Sequence, residues 1–187
     1  MTNLAILDLE TSGINPNKHS VLEIGIIPLL EGIPPFHAYV KNEEIIWSDF
    51  AKENFQKISE EWNAQSTPPR EAVQKLSDYL EENFPSKEIT LIGHNIGFDI
   101  SFLKKLAFDS GIDEIPGISH RVIDTHTLLF VLMSQGKLPE SALTSSGAFS
   151  HFNISPPESI RHTALGDATA TRELFKKISR LLNLHLE

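Results

Sequence analysis

Two carboxylates, Asp8 and Glu10, stand two residues apart at the end of a short apolar run, residues 4–7. Such a run is typical of a buried strand, and side chains two apart on a strand point to the same face. Like charges held side by side at the edge of a core repel each other unless a cation lies between them. Hard divalent cations such as Mg²⁺ take carboxylate oxygens as ligands. The spacing predicts a metal site; the alternative is that Glu10 begins a solvated loop.

Two further acidic positions and one histidine belong to the same argument. Asp99 follows the apolar run 89–93 and falls in the first turn of a predicted helix. The helix dipole favours a carboxylate there, which is enough to explain Asp99 when it is taken alone. Asp167 lies near the start of the last predicted helix, beside Gly166, where the backbone can approach closely. His162 comes five residues before Asp167. On a helix this is about 140° of rotation, so the two would not share a face. We therefore place His162 on the loop before that helix, free to turn toward a metal site.

The elements that position these residues change from strands to alternating helices and strands. After the first strand, the patterns predict strands over 20–30, 36–40, 89–93 and 121–124, the first three strands forming an antiparallel meander. Ser48 is predicted to cap a helix through Phe50, Phe55 and Ile58, with another short helix over 59–62. Further helices are predicted over 70–84, 97–108, 128–132, 139–149 and 162–184. This order indicates an α/β fold with a mixed sheet flanked by helices, as one domain over 1–187.

Composition limits the classes of function. The chain has 187 residues, of which 40% are apolar, as in a globular domain. A net charge of −9 argues against a general polyanion binder, although bound metal and a basic groove would still permit action on nucleic acid. Cysteine is absent, which excludes thiolate chemistry and disulfides. No apolar run is long enough for a membrane span and no secretory signal is seen, so we expect a cytoplasmic protein. Pro156-Pro157 is the predicted flexible spot.

Three motifs, taken in order, resemble one enzyme family. They are Asp-x-Glu-Thr-x-Gly at residues 8–13, His-Asn-x-x-Phe-Asp at 94–99 and His-x-x-x-x-Asp at 162–167. They are similar to the exonuclease motifs of the DEDDh 3′–5′ exonucleases, the DnaQ-like branch of the ribonuclease H-like superfamily. Smaller matches agree, among them Glu23-Ile24-Gly25 in the second strand. The sister branch has Tyr four residues before the last Asp, where this chain has Thr163, so the His branch is favoured.

The resemblance implies a ribonuclease H-like sheet and a set of site residues. Two divalent ions, Mg²⁺ or Mn²⁺, would be held by Asp8, Glu10, Asp99 and Asp167. His162 would be the general base that activates water, a task that suits a pKa near neutrality. Residues expected near the 3′ end of the substrate are Thr11, Asn95 and Phe98. For Phe98, packing in the core is an equally good explanation.

The function expected from the resemblance is hydrolysis of the terminal phosphodiester of single-stranded DNA or RNA, releasing nucleoside 5′-monophosphates. The partner is then a nucleic-acid 3′ end, with no membrane, and a homodimer is an expectation because several members of the family pair up. A second hypothesis is a non-catalytic module of the same fold that binds nucleic-acid ends or a protein. The five catalytic-type residues argue against it, and the sequence itself favours neither DNA nor RNA.

Overall fold

The computed structural model describes residues 3–84, 88–155 and 162–185, without the side chains of 57–59 and 61. The predicted flexible spot Pro156-Pro157 lies outside these ranges. No helix within them is both long and apolar enough to cross a membrane.

The described residues form a five-stranded mixed sheet in the order β3-β2-β1-β4-β5. Strands β1 to β3 pair antiparallel, while β4 and β5 run parallel to β1. This confirms the predicted meander and the mixed ribonuclease H-like sheet. The strands are β1 Asn3–Thr11, β2 Val21–Pro28, β3 Phe36–Tyr39, β4 Ile89–Gly93 and β5 Ile118–Asp124.

Helices cover both faces of the sheet. They are α1 Asp49–Trp62, α2 Pro69–Asn83, α3 Ile96–Asp109, α4 Thr125–Ser134, α5 Ser145–His151 and α6 Ala164–Leu181. The apolar faces of α2 and α3 pack with one side of the strands in the main core. On the other side, Ala168 and Phe175 of α6 pack on Ile6, Ile27 and Ile92. The central strand β1 is therefore buried from both sides, and its end carries Asp8 and Glu10.

A β-bulge at Leu22 lies where α1 packs on the sheet. Glu10 pairs with Glu23, whereas Thr11 pairs with Val21, so Leu22 is the extra residue. Bulges re-aim side chains, and Leu22 packs in a small cluster with Ala51 and Phe55 of α1. The bulge thereby gives α1 its anchor on the sheet, beside the acidic end of β1.

Two helix predictions were wrong in their boundaries. Residues 49–62 form one helix, capped by Ser48, rather than two. Its buried residues Ala51, Phe55 and Trp62 recur four and seven residues apart, so one continuous helix turns them to one face. Residues 139–149 form a 3₁₀ turn, Glu140–Leu143, and then α5, because the Thr144 side chain accepts the Gly147 N–H and starts a new helix.

Candidate active site

Three carboxylates meet at the acidic end of β1. Asp8 and Glu10 project from the strand, and Asp167 reaches them from the first turn of α6. One oxygen of each lies within 4.8 Å of the others, a grouping that could hold a metal ion. Glu10 is only 7% exposed. The alternative that Glu10 begins a solvated loop is therefore wrong.

Asp99 lies beside this group, held by the strand itself. It sits in the first turn of α3 and is buried, and its Oδ1 accepts the Leu9 N–H at 3.0 Å. Leu9 lies between Asp8 and Glu10, so this bond ties α3 to the acidic stretch of β1. Asp99 is thus linked to the carboxylate group through the backbone, a contact that helix electrostatics alone does not explain.

The start of α6 carries both Asp167 and His162. Thr163 is the N-cap residue, and its side chain accepts the Gly166 N–H. His162 precedes the cap, as predicted, with a positive φ of 60°. That left-handed conformation is uncommon outside glycine but is one that His tolerates better than most residues. The imidazole is exposed and lies edge-on to the buried ring of Phe55 in α1, with the ring centroids 6.3 Å apart.

Burial and mutual repulsion shift the acidic groups toward their protonated forms. Burial, together with the charges of Asp167, Glu23 and Asp99, raises the pKa of Glu10 to about 9. Burial, followed by the charge of Asp99, raises the pKa of Asp8 well above its ordinary range. Burial also raises the pKa of Asp99 to about 7, against a lowering effect of the Leu9 N–H. The group without a cation resists ionisation, which is the behaviour expected of a site for a divalent cation.

The residues predicted to meet substrate lie at the end of β1 and at the start of α3. Thr11 is buried, and its Oγ1 donates to the carbonyl oxygen of Gly13. Asn95 is exposed at the start of α3, with φ 58°, and its N–H donates to Oδ1 of Asp124. Phe98 is half-buried against Phe102, with the ring centroids 4.8 Å apart. Core packing therefore accounts for one side of the Phe98 ring. The side chain stays partly exposed, and Phe98 directly precedes Asp99 in the chain.

This arrangement can be compared with known proteins. A family model described as an exonuclease, the ribonuclease T family, matches residues 5–175. The chain belongs to this exonuclease family. The predictions of a DnaQ-like family and of an exonuclease are confirmed by that match.

Relatives of this exonuclease domain differ in total length. The PolC-type DNA polymerase III of Clostridium perfringens is 26% identical over 187 residues, 96% of this chain and 12% of the polymerase. Ribonuclease T of Marinobacter nauticus is 25% identical over 189 residues, 91% of this chain and 79% of the relative. Exonuclease I of E. coli, solved in complex with a dT13 oligonucleotide, superposes with a TM-score of 0.78 at 14% identity, over 98% of this chain and 43% of that one. The last likeness confirms the fold.

Two side chains beside the candidate site make contacts that were not predicted from the sequence. Ser12 is fully buried; its Oγ donates to the carbonyl oxygen of Ile46 and accepts the Ser20 N–H. This fixes the loop after Glu10. Glu23 was noted only as part of a small motif, yet it lies beside Glu10 in the sheet. Its signal was available, because a charged residue inside the apolar run 20–30 needs a partner when that run is buried.

Proposed function

We propose that this exonuclease domain is a metal-dependent 3′–5′ exonuclease that removes nucleoside 5′-monophosphates from single-stranded DNA or RNA. The observation that carries the proposal is the convergence of Asp8, Glu10 and Asp167 within 4.8 Å. Ribonuclease T among the relatives, and a structural neighbour solved with a single-stranded oligonucleotide, support the substrate class.

The donor set fits two hard divalent ions, Mg²⁺ or Mn²⁺. All four candidate ligands are carboxylates, the group that such ions prefer: Asp8, Glu10, Asp99 and Asp167. The raised pKa values of Asp8 and Glu10 support this assignment, since a bound cation would relieve the repulsion behind them. When bound, the ions would stabilise the charge on the attacking water oxygen and on the leaving 3′ oxygen.

The residues of this chain then have separate tasks. His162 accepts a proton from the attacking water, whose oxygen forms the new bond to the terminal phosphorus. The bond from that phosphorus to the 3′ oxygen of the preceding nucleotide breaks, and the departing oxygen takes a proton from solvent. Thr11, Asn95 and Phe98 hold the terminal nucleotide beside the carboxylates.

The test uses 5′-labelled single strands of DNA and RNA of matched sequence, incubated in Mg²⁺ and resolved as ladders. We expect shortening from the 3′ end that stops on chelation, and the faster ladder identifies the preferred nucleic acid. A closed circular strand is the control, since an exonuclease has no end on which to start. Stoichiometric binding without shortening, repeated in Mn²⁺, would contradict the proposal and favour the binding-module hypothesis.

Two wider expectations belong to the same proposal. Self-association as a homodimer is tested by light scattering of the purified chain across concentrations. The cytoplasmic location stays a prediction from the sequence.

A further inference from the structure

Glu23 is a buried acidic residue with no task in the proposed reaction. It is fully buried in β2, directly opposite Glu10 in the antiparallel register. Its charge adds to the repulsion that raises the pKa of Glu10. A carboxyl group here works against the acidic site unless its bonds compensate, because burying charge is costly without partners.

Both oxygens of Glu23 have partners, and one partner is the start of α6. Oε2 accepts the N–H of Ala164, the first residue of α6, at 3.0 Å, and Oε1 lies 2.6 Å from Nε2 of His37 on β3. The first N–H groups of a helix have no partner within the helix, and the positive end of the helix dipole favours a carboxylate. Glu23 therefore accepts one of the otherwise unpaired N–H groups at the N-terminus of α6, from its place in the sheet.

The neighbouring Gly25 makes this contact possible. A Cβ at Gly25 would lie 2.6 Å from the carbonyl carbon of Ala164, closer than real Cβ contacts allow. The backbone of α6 thus rests directly on β2, and the Glu23 carboxyl group fixes where along the strand it rests. His162 lies two residues before this contact and Asp167 three residues after it.

We propose that Glu23 and His37 are positioning residues, which together set the N-terminus of α6 so that Asp167 meets Asp8 and Glu10 and His162 is held at the start of the same helix. The part that concerns His162 rests on the proposed function; the part that concerns the carboxylates does not. His37 orients the carboxyl group by donating to one oxygen, which leaves the other for Ala164.

Further ring contacts connect His37 to α1. The His37 ring lies edge-on to Tyr39, with centroids 4.6 Å apart, and Tyr39 stacks on Trp62 at 4.7 Å. One row of contacts therefore links the start of α6 to the end of α1. His37 has 31% of its side chain exposed, so it can be substituted with less risk to folding than the buried Glu23.

The test compares His37→Phe with His37→Gln. Phe keeps the ring beside Tyr39 but removes the donor to Glu23, whereas the Gln amide can still donate. We expect His37→Phe to weaken Mn²⁺ binding to the protein without substrate by about tenfold, the lower end of the loss seen when a residue that supports a metal ligand is removed. The same variant should lower kcat on a single-stranded oligonucleotide while KM changes less than about twofold. His37→Gln should stay near the wild type in both.

Glu23→Leu and the exposed His120→Phe complete the set. Glu23→Leu should reproduce the His37→Phe defect at least in full, and adding His37→Phe to it should cost little more, because the two residues act as a unit. His120→Phe should change nothing. Wild-type Mn²⁺ affinity and kcat in His37→Phe would overturn the proposal, as would an equal defect in His37→Gln. If the wild type hydrolyses nothing, the proposed function fails, and the Mn²⁺ titrations alone decide the positioning role.

Discussion

The N-termini of α3 and α6 invite comparison, because each helix delivers an aspartate to β1 from its fourth residue. Asp99 is the fourth residue of α3, and Asp167 is the fourth residue of α6. The two helices pack on opposite faces of the sheet. Asp99 accepts a backbone N–H from β1, while Asp167 joins the carboxylates of that strand.

The same position in a helix therefore gives two environments. The partner of Asp99 is the Leu9 N–H, which offsets part of the effect of burial on its pKa. Asp167 instead lies among negative groups. In both cases the first turn of a helix brings a carboxylate to β1. Asp99 meets a backbone N–H of the strand, whereas Asp167 meets its side chains, because the N–H groups and the side chains of a strand point in different directions.

Substitution of each aspartate with asparagine should have the largest effect and should distinguish the roles of the two residues. Asp167→Asn should lower the exonuclease rate by more than about 100-fold, the upper range for groups that only support a metal ligand. Asp99→Asn should also lower the rate but retain more Mn²⁺ affinity, since the Asn oxygen can still accept the Leu9 N–H. Initial rates and calorimetric Mn²⁺ titrations measure the two effects.

The exposed Asp113 provides the matched control, as Asp113→Asn. Neither site variant should lose thermal stability in chelator, because each removes one repelling charge. Equal losses of Mn²⁺ affinity in the two variants would show that Asp99 and Asp167 contribute equally to metal binding despite their different partners.

A second prediction concerns pH. The pKa of Glu10 is raised from 4.5 to about 9 and that of Asp99 from 3.8 to about 7. Between each pair of values the folded chain holds a proton that the unfolded chain has released, so the free energy of unfolding falls as pH rises. In chelator, melting temperature should decrease from pH 5 toward pH 9, and Mg²⁺ should restore it most at the alkaline end.

Variants sharpen this pH prediction. Glu10→Gln should reduce the fall of melting temperature with pH more than Asp99→Asn does, because the pKa of Glu10 is raised over a wider range. A melting temperature that rises across this interval in chelator would contradict the assigned repulsion.

The sequence predicted Asp8 and Glu10 as a pair because their evidence is local: they stand two residues apart at the end of one apolar run. Asp99 and Asp167 were predicted only through the resemblance of three separate motifs to one enzyme family. The contact of Glu23 with His37 and Ala164 depends on the register of β2 and β3 and on the docking of α6, which no local pattern records. The bulge at Leu22 was hidden for the same reason, since it is defined by the partner strand. Local chemistry was thus predictable, whereas its support from distant residues was not.

The smallest expected effect concerns how each helix begins. Thr163 caps α6 with its side chain, whereas Asn95 precedes α3 with φ 58° and makes no side-chain cap. Thr163→Ala should lower the free energy of unfolding by about 1 kcal/mol. Asn95→Gly should change it by less than about 0.5 kcal/mol, because glycine adopts positive φ without strain and this gain offsets its greater freedom when unfolded. Urea unfolding in chelator measures both. A larger loss in Asn95→Gly than in Thr163→Ala would mean that the Asn95 side chain holds α3 through a contact of its own, and the two helix starts would then be alike.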